Sequence, residues 1–414
     1  MKFHGEITPP GDKSISHRAF MLGALATGTT VIRGALESMD IRSTREALQA
    51  LGVAIKKDRY AWLITGGTLQ EPVTVIDAGN SGTTARLLSG ILASLDGVSV
   101  VTGDASLVNR PMARVLNPLE CMGAHFMARQ GGFLPMAIKG GSLRGISHDM
   151  EIASAQVKSA LLLAGLHAQG VTQIIEPMKS RDHTERMLTY FGATLKETGN
   201  SINIAGQQKL EAREIVVPGD PSSAAFPAVL AAAKPGSQLL IKGVCLNPTR
   251  TAFLDVLRRM GTSISIENTR EMAGETVGDI MIKGQGLKET IIEGQEIPSL
   301  IDEIPILAIA AALAEGTTII RDAKELRVKE TNRIKALING FSALGAFVQE
   351  LDDGMVIEGP LKLKSGHIKT CSDHRIAMSF HILSRVADID IILDDTGCVN
   401  ISYPGFFRDI EGIS

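Results

Sequence analysis

Basic side chains stand beside Ser- and Gly-rich turns at several points along the chain. The six that follow this pattern are Lys13, Arg18, Arg110, Lys329, Arg333 and Arg375. Each turn precedes a stretch that is typical of a helix, and a helix N-terminus offers an anion unpaired N–H groups and partial positive charge. Arginine also binds phosphate and carboxylate groups through two parallel hydrogen bonds. The pattern therefore predicts a ligand that carries several negative charges.

Two acidic segments lie among these basic residues. Asp302 and Glu303 directly precede an apolar helix that begins near Pro305, and Glu330 follows Lys329 in a dense run of charges. Carboxylates held among cations can move protons in catalysis, whereas a module that only captured anions would not need them. A structural role also stays open, because two acids complement a helix dipole and a charge run is often a solvated face.

Other motifs have structural interpretations as well. The segment Gly11–Arg18 could be a helix N-cap with a solvated basic face. It is not a Walker A loop, since Asp12 rather than a glycine precedes its lysine. Gly82 could be an ordinary turn glycine, or one that lets a ligand approach the backbone closely. His17 and His374 are interpreted as structural histidines.

The elements that must position these residues form a weak internal repeat. Copies begin at Gly11, Gly79, Ala153, Gly219, Ile301 and Cys371, and the last copy is shorter. Each copy has a polar turn, an apolar helix, a strand, an amphipathic helix that ends at a glycine, and a further strand. A helix that is apolar nearly all round, such as 306–313, must be buried. The repeat predicts an α/β protein with two similar domains of three units each, divided near residues 217–221, although a simple row of repeats stays open.

Composition limits the classes of function. A chain of 414 residues favours two domains, and a net charge of −3 without a basic run argues against nucleic-acid binding. The longest apolar run, 306–314, is too short for a membrane span, and residues 1–6 lack the apolar core of a secretory signal. Four scattered cysteines without metal-ligand spacing are typical of a reducing compartment, namely Cys121, Cys245, Cys371 and Cys398. We therefore expect a cytoplasmic protein.

Taken together and in this order, the motifs resemble the EPSP synthase family of enolpyruvyl transferases over essentially the whole chain. The segments that carry the resemblance are 12–18, 79–84, 110–112, 154–159, 220–223, 302–303, 327–330 and 373–375. The resemblance implies an inside-out α/β barrel fold, with three α/β units and buried helices in each of two domains. It places residues 14–217 in one domain and residues 1–13 plus 218–414, with both chain termini, in the other. It also implies that the ligands bind in a cleft and that the domains close on them.

The implied activity is transfer of the enolpyruvyl group of phosphoenolpyruvate to the 5-hydroxyl of shikimate 3-phosphate. Phosphate is released and 5-enolpyruvylshikimate 3-phosphate forms, a step toward chorismate and the aromatic amino acids. The resemblance implies no metal ion and no organic cofactor, no nucleic-acid or membrane partner, and a monomer. Glyphosate, which competes with phosphoenolpyruvate in this family, is expected to inhibit, because Gly82 leaves room that a larger residue would remove.

The resemblance also assigns residue roles. Asp302 would be the base on the 5-hydroxyl, Glu330 a proton donor to the methylene carbon, and Lys13 a further group at the reacting centre. Residues expected to hold shikimate 3-phosphate are Lys13, Ser14, Arg18, Ser154, Gln156, Asp302 and Lys329. Residues expected to hold phosphoenolpyruvate are Lys13, Gly82, Arg110, Gln156, Arg333 and Arg375.

Two features depart from the commonest pattern of the family. Ala155 stands where many members have a second serine, and residues 400–404 lack a lysine that many members carry. The sister transferase that acts on UDP-N-acetylglucosamine is an alternative, but it usually has a reactive cysteine in the loop after the Arg-Pro pair. That loop is Met112–Arg114 here, and Cys121 falls in a predicted amphipathic helix. A non-catalytic anion-binding module is the second alternative.

Overall fold

The computed structural model describes residues 2–413, which form two compact units. The first unit contains Gly11–Val217 together with the short segment Met272–Glu275. The second contains residues up to Pro10, Pro218–Glu271 and residues from Thr276 onward. The units differ from the predicted domains at residues 11–13 and 272–275, and the domain boundaries themselves stay a prediction.

Helices and strands alternate along the described chain. The α-helices are α1 Lys13–Leu25, α2 Met39–Ala50, α3 Gly82–Ala93, α4 Ala113–Met122, α5 Ala155–Gly165, α6 His183–Tyr190, α7 Pro221–Ala232, α8 Ala252–Arg259, α9 Ile297–Leu300, α10 Ile304–Leu313, α11 Arg333–Ala343, α12 His374–Ala387 and α13 Phe406–Glu411. The strands of the first half are β1 His4–Ile7, β2 Gly28–Arg33, β3 Ala54–Asp58, β4 Ala61–Gly66, β5 Ile76–Asp77, β6 Gly97–Thr102, β7 His125–Arg129, β8 Phe133–Gly140, β9 Ser147–Asp149, β10 Val171–Ile175, β11 Leu195–Thr198, β12 Ser201–Ala205 and β13 Glu214–Val216. Those of the second half are β14 Gln238–Cys245, β15 Ser263–Met272, β16 Glu275–Lys283, β17 Ile291–Ile292, β18 Gly316–Ile320, β19 Gln349–Leu351, β20 Gly354–Gly359, β21 Gly366–Ile368 and β22 Ile391–Leu393.

The sheets repeat one topology. The four-stranded sheets run β13-β2-β4-β3, β5-β6-β8-β7, β9-β10-β12-β11, β1-β14-β16-β15 and β17-β18-β20-β19. In each of them the first pair is parallel and the next pair antiparallel. The sixth copy keeps only the parallel pair β21-β22, as the shorter sixth repeat predicts.

Strand pairing decides between a closed set of units and an open row. In the first unit β13, at the end of the third copy, pairs in parallel with β2 of the first copy. The three copies therefore close on themselves, and an open solenoid is excluded for this unit. The predicted fold class, α/β with three repeated units and buried helices in each half, is confirmed.

One helix of each copy is buried, and its partner helix is amphipathic. In the first unit the buried helices are α1, α3 and α5, and in the second they are α7, α10 and α12. In α10 only the last residue, Leu313, escapes full burial, as its apolar sequence predicts. Gly90 of α3 lies so close to α5 that an added Cβ would sit 2.1 Å from the carbonyl oxygen of Ala160. Two buried helices thus pack backbone to backbone, which only glycine permits at this position.

Candidate active site

The polar turns are N-caps of the buried helices. The side chains of Asp12, Ser81 and Ser154 accept hydrogen bonds from the backbone N–H three residues ahead, at the starts of α1, α3 and α5. Asp220 and Asp373 cap α7 and α12, and each accepts from the backbone N–H two residues ahead. Capping accounts for the position of these side chains at the helix starts.

We call the predicted ligand-binding residues of the first unit the first half-site. Its members are Lys13, Ser14, Arg18, Gly82, Arg110, Ser154 and Gln156. They come from the first turns of α1, α3 and α5, their caps, and the loop before α4. Hydrogen bonds and ion pairs join them in small groups.

Arg18 is held from three sides. It is only 4% exposed, and its Nε and Nη2 donate to Thr184 Oγ1 at 2.6 Å and Ser159 Oγ at 2.7 Å. Its Nη1 donates to the carbonyl oxygen of Ser14 at 3.0 Å. A guanidinium fixed in this way is preorganised, so an anion that binds it does not have to order the side chain first.

A buried ion cluster lies next to these partners in sequence. Lys158 Nζ is 2.8 Å from Glu176 Oε2 and 2.7 Å from Glu185 Oε1, and the three side chains are at most 2% exposed. Burial raises the pKa of Glu185, although Lys158 opposes the rise. Since Ser159 and Thr184 adjoin Lys158 and Glu185, this cluster anchors the two hydroxyls that hold Arg18.

Gly82 and Arg110 lie together at the start of α3. A Cβ at Gly82 would be 3.6 Å from Arg110 Nη1 and 3.1 Å from Arg86 Nη1. Arg110 is 8% exposed, and its Nη2 donates to Asn80 Oδ1 at 2.9 Å. The glycine therefore borders two guanidinium groups, and any added side-chain atom would compete with a ligand for that space.

Gln156 has a partner that the sequence did not assign. Its Oε1 accepts from Arg86 Nη1 at 2.7 Å, and its Nε2 donates to Thr83 Oγ1 at 3.1 Å. Arg86 Nη2 also donates to the carbonyl oxygen of Pro111 at 3.1 Å. Arg86 thus joins the turn of α3 to the start of α5 and to the loop that follows Arg110.

Lys13 also has an unforeseen partner. Its Nζ lies 2.5 Å from Asp40 Oδ2, with the lysine side chain 22% and the aspartate 6% exposed. Asp40 is in the first turn of α2, where a carboxylate is favoured by the helix dipole. The pair fixes the direction of the lysine while part of its side chain remains open to solvent.

We call the predicted site residues of the second unit the second half-site: Asp302, Lys329, Glu330, Arg333 and Arg375. The structure brings all five together. Asp302 Oδ1 is 3.6 Å from Lys329 Nζ and 3.4 Å from Arg333 Nη1, and Asp302 Oδ2 is 3.9 Å from Arg375 Nη2. Three cations thus surround one carboxylate, an arrangement that can stabilise negative charge during a reaction.

Arg333 links the two predicted proton-transfer residues. Its Nη2 donates to Glu330 Oε2 at 2.5 Å and its Nη1 to Asp302 Oδ1 at 3.4 Å, while its Nε donates to Asp373 Oδ2 at 2.8 Å. Burial acts to lower the pKa of Arg333, but Asp373, Glu330 and Asp302 together raise it above its ordinary value. Its side chain is 1% exposed, so this cation is a fixed part of the second half-site.

Glu303, directly after Asp302, is a buried member of the same group. Its Oε1 accepts a short hydrogen bond from Ser222 and lies 3.6 Å from Arg375 Nη1. Arg375 Nη1 also donates to the backbone oxygen of Asp302 at 2.6 Å. The carboxylate of Glu303 and the backbone of Asp302 therefore fix the orientation of the Arg375 guanidinium.

Three further observations concern metal ligands, membrane spans and cysteines. The described residues of the two half-sites do not form a cluster of metal ligands. Over residues 2–413 no helix has both the length and the apolar character needed to cross a bilayer. Cys121, which lies within α4, is exposed. Met112–Arg114, predicted as a loop, forms the cap and first residues of the same helix and holds no thiol.

Comparison with known proteins adds sequence evidence. Residues 1–410 match the family model described as EPSP synthase (3-phosphoshikimate 1-carboxyvinyltransferase). The chain is 50% identical over 409 residues to the 3-phosphoshikimate 1-carboxyvinyltransferase of Syntrophotalea carbinolica, covering 98% of this chain and 95% of that one. It is 48% identical over 414 residues to the protein of the same name from Aquifex aeolicus, covering 98% and 96% of the two chains.

Solved structures are similar to this chain as well. The EPSP synthase of Acinetobacter baumannii superposes with a TM-score of 0.87 at 43% identity, covering 99% of this chain and 95% of that one. The enolpyruvyl transferase NikO of Streptomyces tendae has a TM-score of 0.78 at 16% identity, covering 100% and 96%. The second likeness concerns the fold alone.

Proposed function

Because the chain belongs to the EPSP synthase family, we propose that it transfers the enolpyruvyl group of phosphoenolpyruvate to the 5-hydroxyl of shikimate 3-phosphate. Phosphate leaves and 5-enolpyruvylshikimate 3-phosphate forms, a step of the shikimate pathway to the aromatic amino acids. The observation that carries the proposal is the convergence of Asp302, Lys329, Glu330, Arg333 and Arg375 in the second half-site.

The residue roles follow from the chemistry that this transfer needs. A base must take the proton of the 5-hydroxyl, and an acid must protonate the methylene carbon so that the new carbon–oxygen bond can form. Since the product keeps a carbon–carbon double bond, that carbon must lose a proton again when phosphate leaves. We assign Asp302 as the base and Glu330 as the acid, with Lys13 as a further group at the reacting centre.

The anionic groups of the substrates require fixed cations. We assign shikimate 3-phosphate to Lys13, Ser14, Arg18, Ser154, Gln156, Asp302 and Lys329. We assign phosphoenolpyruvate to Lys13, Gly82, Arg110, Gln156, Arg333 and Arg375. The hydrogen bonds that hold Arg18, Arg110 and Arg375 support these assignments, because a cation held in place stabilises developing charge without first reorganising.

We also propose a cytoplasmic monomer that works without a metal ion or organic cofactor. All four cysteines are free thiols, which agrees with a reducing compartment. Gel filtration with light scattering would measure the molar mass, and a mass of two chains would contradict the monomer.

The deciding experiment is phosphate release from phosphoenolpyruvate. The purified protein is offered shikimate 3-phosphate or UDP-N-acetylglucosamine in separate reactions, each with and without added chelator. Release with shikimate 3-phosphate alone is the expected result. Phosphate release only with the UDP-sugar would contradict the proposed acceptor substrate and support the same type of reaction. No release from folded protein that still binds phosphoenolpyruvate would indicate an anion-binding module instead.

A further inference from the structure

Four buried side chains on three helices of the first unit form a continuous hydrogen-bonded row. His17 of α1 contacts Thr44 of α2, with 2.7 Å between Nδ1 and Oγ1. Thr44 Oγ1 is 2.6 Å from Thr84 Oγ1 of α3, and Thr84 Oγ1 donates to Ser81 Oγ at 2.7 Å. All four residues are 0% exposed. We call this row the His17–Ser81 chain.

The direction of every hydrogen bond in the chain follows from counting protons. A hydroxyl has a single proton, and that of Thr84 is used on Ser81. Thr44 must therefore donate to Thr84, which leaves Thr44 without a proton for His17. The imidazole must then donate from Nδ1, and all donors in the chain point from α1 toward α3.

The proton count requires a proton on Nδ1, and the surroundings of the ring decide whether Nε2 carries a second proton. Complete burial lowers the pKa of His17 well below its ordinary value, and Lys13 and Arg18 lower it further. The ring is therefore neutral with its proton on Nδ1, and its buried Nε2 has no hydrogen-bond partner among the described residues. Burying a nitrogen without a hydrogen-bond partner costs free energy. We therefore take the contact of Nδ1 with Thr44 as the reason for a histidine at this position.

The two ends of the chain lie in the turns that carry the first half-site. His17 is the residue before Arg18 and one helical turn after Lys13, while Ser81 caps α3 immediately before Gly82. Ser81 also accepts from the backbone N–H of Thr84 at 3.1 Å, so the chain and the cap share one oxygen. The turn before this cap touches α2 as well, since a Cβ at Gly79 would be 2.9 Å from Ser43 Oγ.

We infer that the His17–Ser81 chain is a positioning device for the transfer reaction, with Thr44 as its central residue. It sets the distance between the turn that bears Lys13 and Arg18 and the turn that bears Gly82. This inference rests on the proposed function. Because all four residues are fully buried, we assign them as positioning residues and not as catalytic ones.

The test replaces the central hydroxyl by a methyl group. Thr44→Val keeps the shape but removes the acceptor for His17 and the donor for Thr84. Since small misplacements of binding groups cost large factors in rate, we expect kcat/KM for phosphoenolpyruvate to fall on the order of tenfold at a temperature well below unfolding. Thr44→Ser restores the hydroxyl and is expected to recover kcat/KM to within about twofold of the parent.

An exposed threonine pair in the same unit provides the matched control. Thr29 and Thr65 face each other across β2 and β4 with 3.2 Å between their hydroxyl oxygens. Thr65→Val removes a hydroxyl in the same way and is expected to leave both KM values and kcat unchanged. Equal kinetics for Thr44→Val and Thr44→Ser would overturn the inference. A lowered melting temperature with unchanged kinetics would show a role in stability alone.

A spectroscopic measurement tests the proton count without using activity. Selective ¹⁵N labelling of histidine, with His17→Asn to assign the signal, reports which ring nitrogen carries the proton. A neutral ring protonated on Nδ1 between pH 6 and pH 8 (about one unit either side of neutrality) is expected. A neutral ring with its proton on Nε2 would overturn the inference even if every Thr44 variant failed to fold, because Nδ1 could then not donate to Thr44. Absence of activity in the parent protein, with the Nδ1 proton present, would contradict the proposed function and not the chain.

Discussion

Replacing Gly82 by alanine is expected to weaken ligand binding while leaving the protein folded. Gly82 is the first residue of α3 after its cap, and its φ lies outside the left-handed region, so alanine fits the backbone. Alanine also has the better helix propensity, by about 1 kcal/mol. We therefore expect the variant to stay folded, with a melting temperature within a few degrees of the parent's (roughly the shift that 1 kcal/mol produces).

The cost of the methyl group falls on the first half-site. The new Cβ would lie 3.1 Å from Arg86 Nη1 and 3.7 Å from Leu107 Cδ1, so the guanidinium must move by a few tenths of an ångström. Arg86 is held by Gln156 at 2.7 Å and by Pro111 at 3.1 Å. Gln156 and the neighbouring Arg110 are assigned to phosphoenolpyruvate, so a shift of Arg86 and the added methyl group would weaken a charged hydrogen bond to that ligand. One such bond is worth about 1.5 kcal/mol, or about tenfold in affinity.

The assay compares steady-state kinetics and glyphosate inhibition in the parent and in Gly82→Ala. We expect the KM for phosphoenolpyruvate and the inhibition constant of glyphosate each to rise about tenfold or more, with the KM for shikimate 3-phosphate changed less. Gly412→Ala is the control, because Gly412 is an exposed glycine near the end of α13 and no half-site residue is near it in sequence. If inhibition and the KM for phosphoenolpyruvate stayed at parental values while Gly82→Ala remained folded, the steric argument would be refuted.

Three further variants test other parts of the structure. Asp302→Asn should lower kcat by about 10²–10⁴-fold, as loss of a general base does. Calorimetry should show that both substrates still bind. An unchanged kcat would show that Asp302 is not the base. Lys158→Met leaves Glu176 and Glu185 without their buried cation, so urea denaturation should show that the free energy of unfolding falls by about 3–5 kcal/mol. A fall below about 1 kcal/mol would contradict a tightly coupled cluster. The raised pKa of Glu185 means that the folded state holds this proton above the ordinary value of 4.5. Its contribution to stability is therefore complete below that pH and declines as pH rises through the raised pKa. Glu185→Gln should flatten this decline in unfolding curves measured across pH, and an unaltered slope would assign the decline to other groups.

The repeat and the second half-site could be predicted from the sequence because both depend on local patterns. Apolar runs such as that of α10 determine which helix is buried, and equivalent turns recur at equivalent helix starts. Asp302, Glu330 and Arg333 come from the fifth copy of the repeat and Arg375 from the sixth, so their convergence follows once the copies are recognised.

The partners of the first half-site could not be predicted in this way. Arg18 meets Thr184, which is 166 positions away, and Arg86 meets Gln156, which is 70 positions away. Such contacts depend on the rotation of buried helices about their axes and on individual rotamers, and neither leaves a periodic signal in the sequence. The short helix α9 and the assignment of Met272–Glu275 to the first unit are not predicted either, because segments of four residues are too short to show a periodic pattern.

The order of strand pairing has a consequence for how the chain folds while it is synthesised. The first unit is almost continuous in sequence, and its last strand, β13, completes the sheet begun by β2. Its sheets can therefore form before the second half has left the ribosome. Strand β1, in contrast, is made first but pairs with β14, whose residues begin at Gln238. Residues 4–7 therefore stay unpaired until more than half of the polypeptide has been made, and an unpaired strand edge of this kind is exposed to wrong pairing during folding.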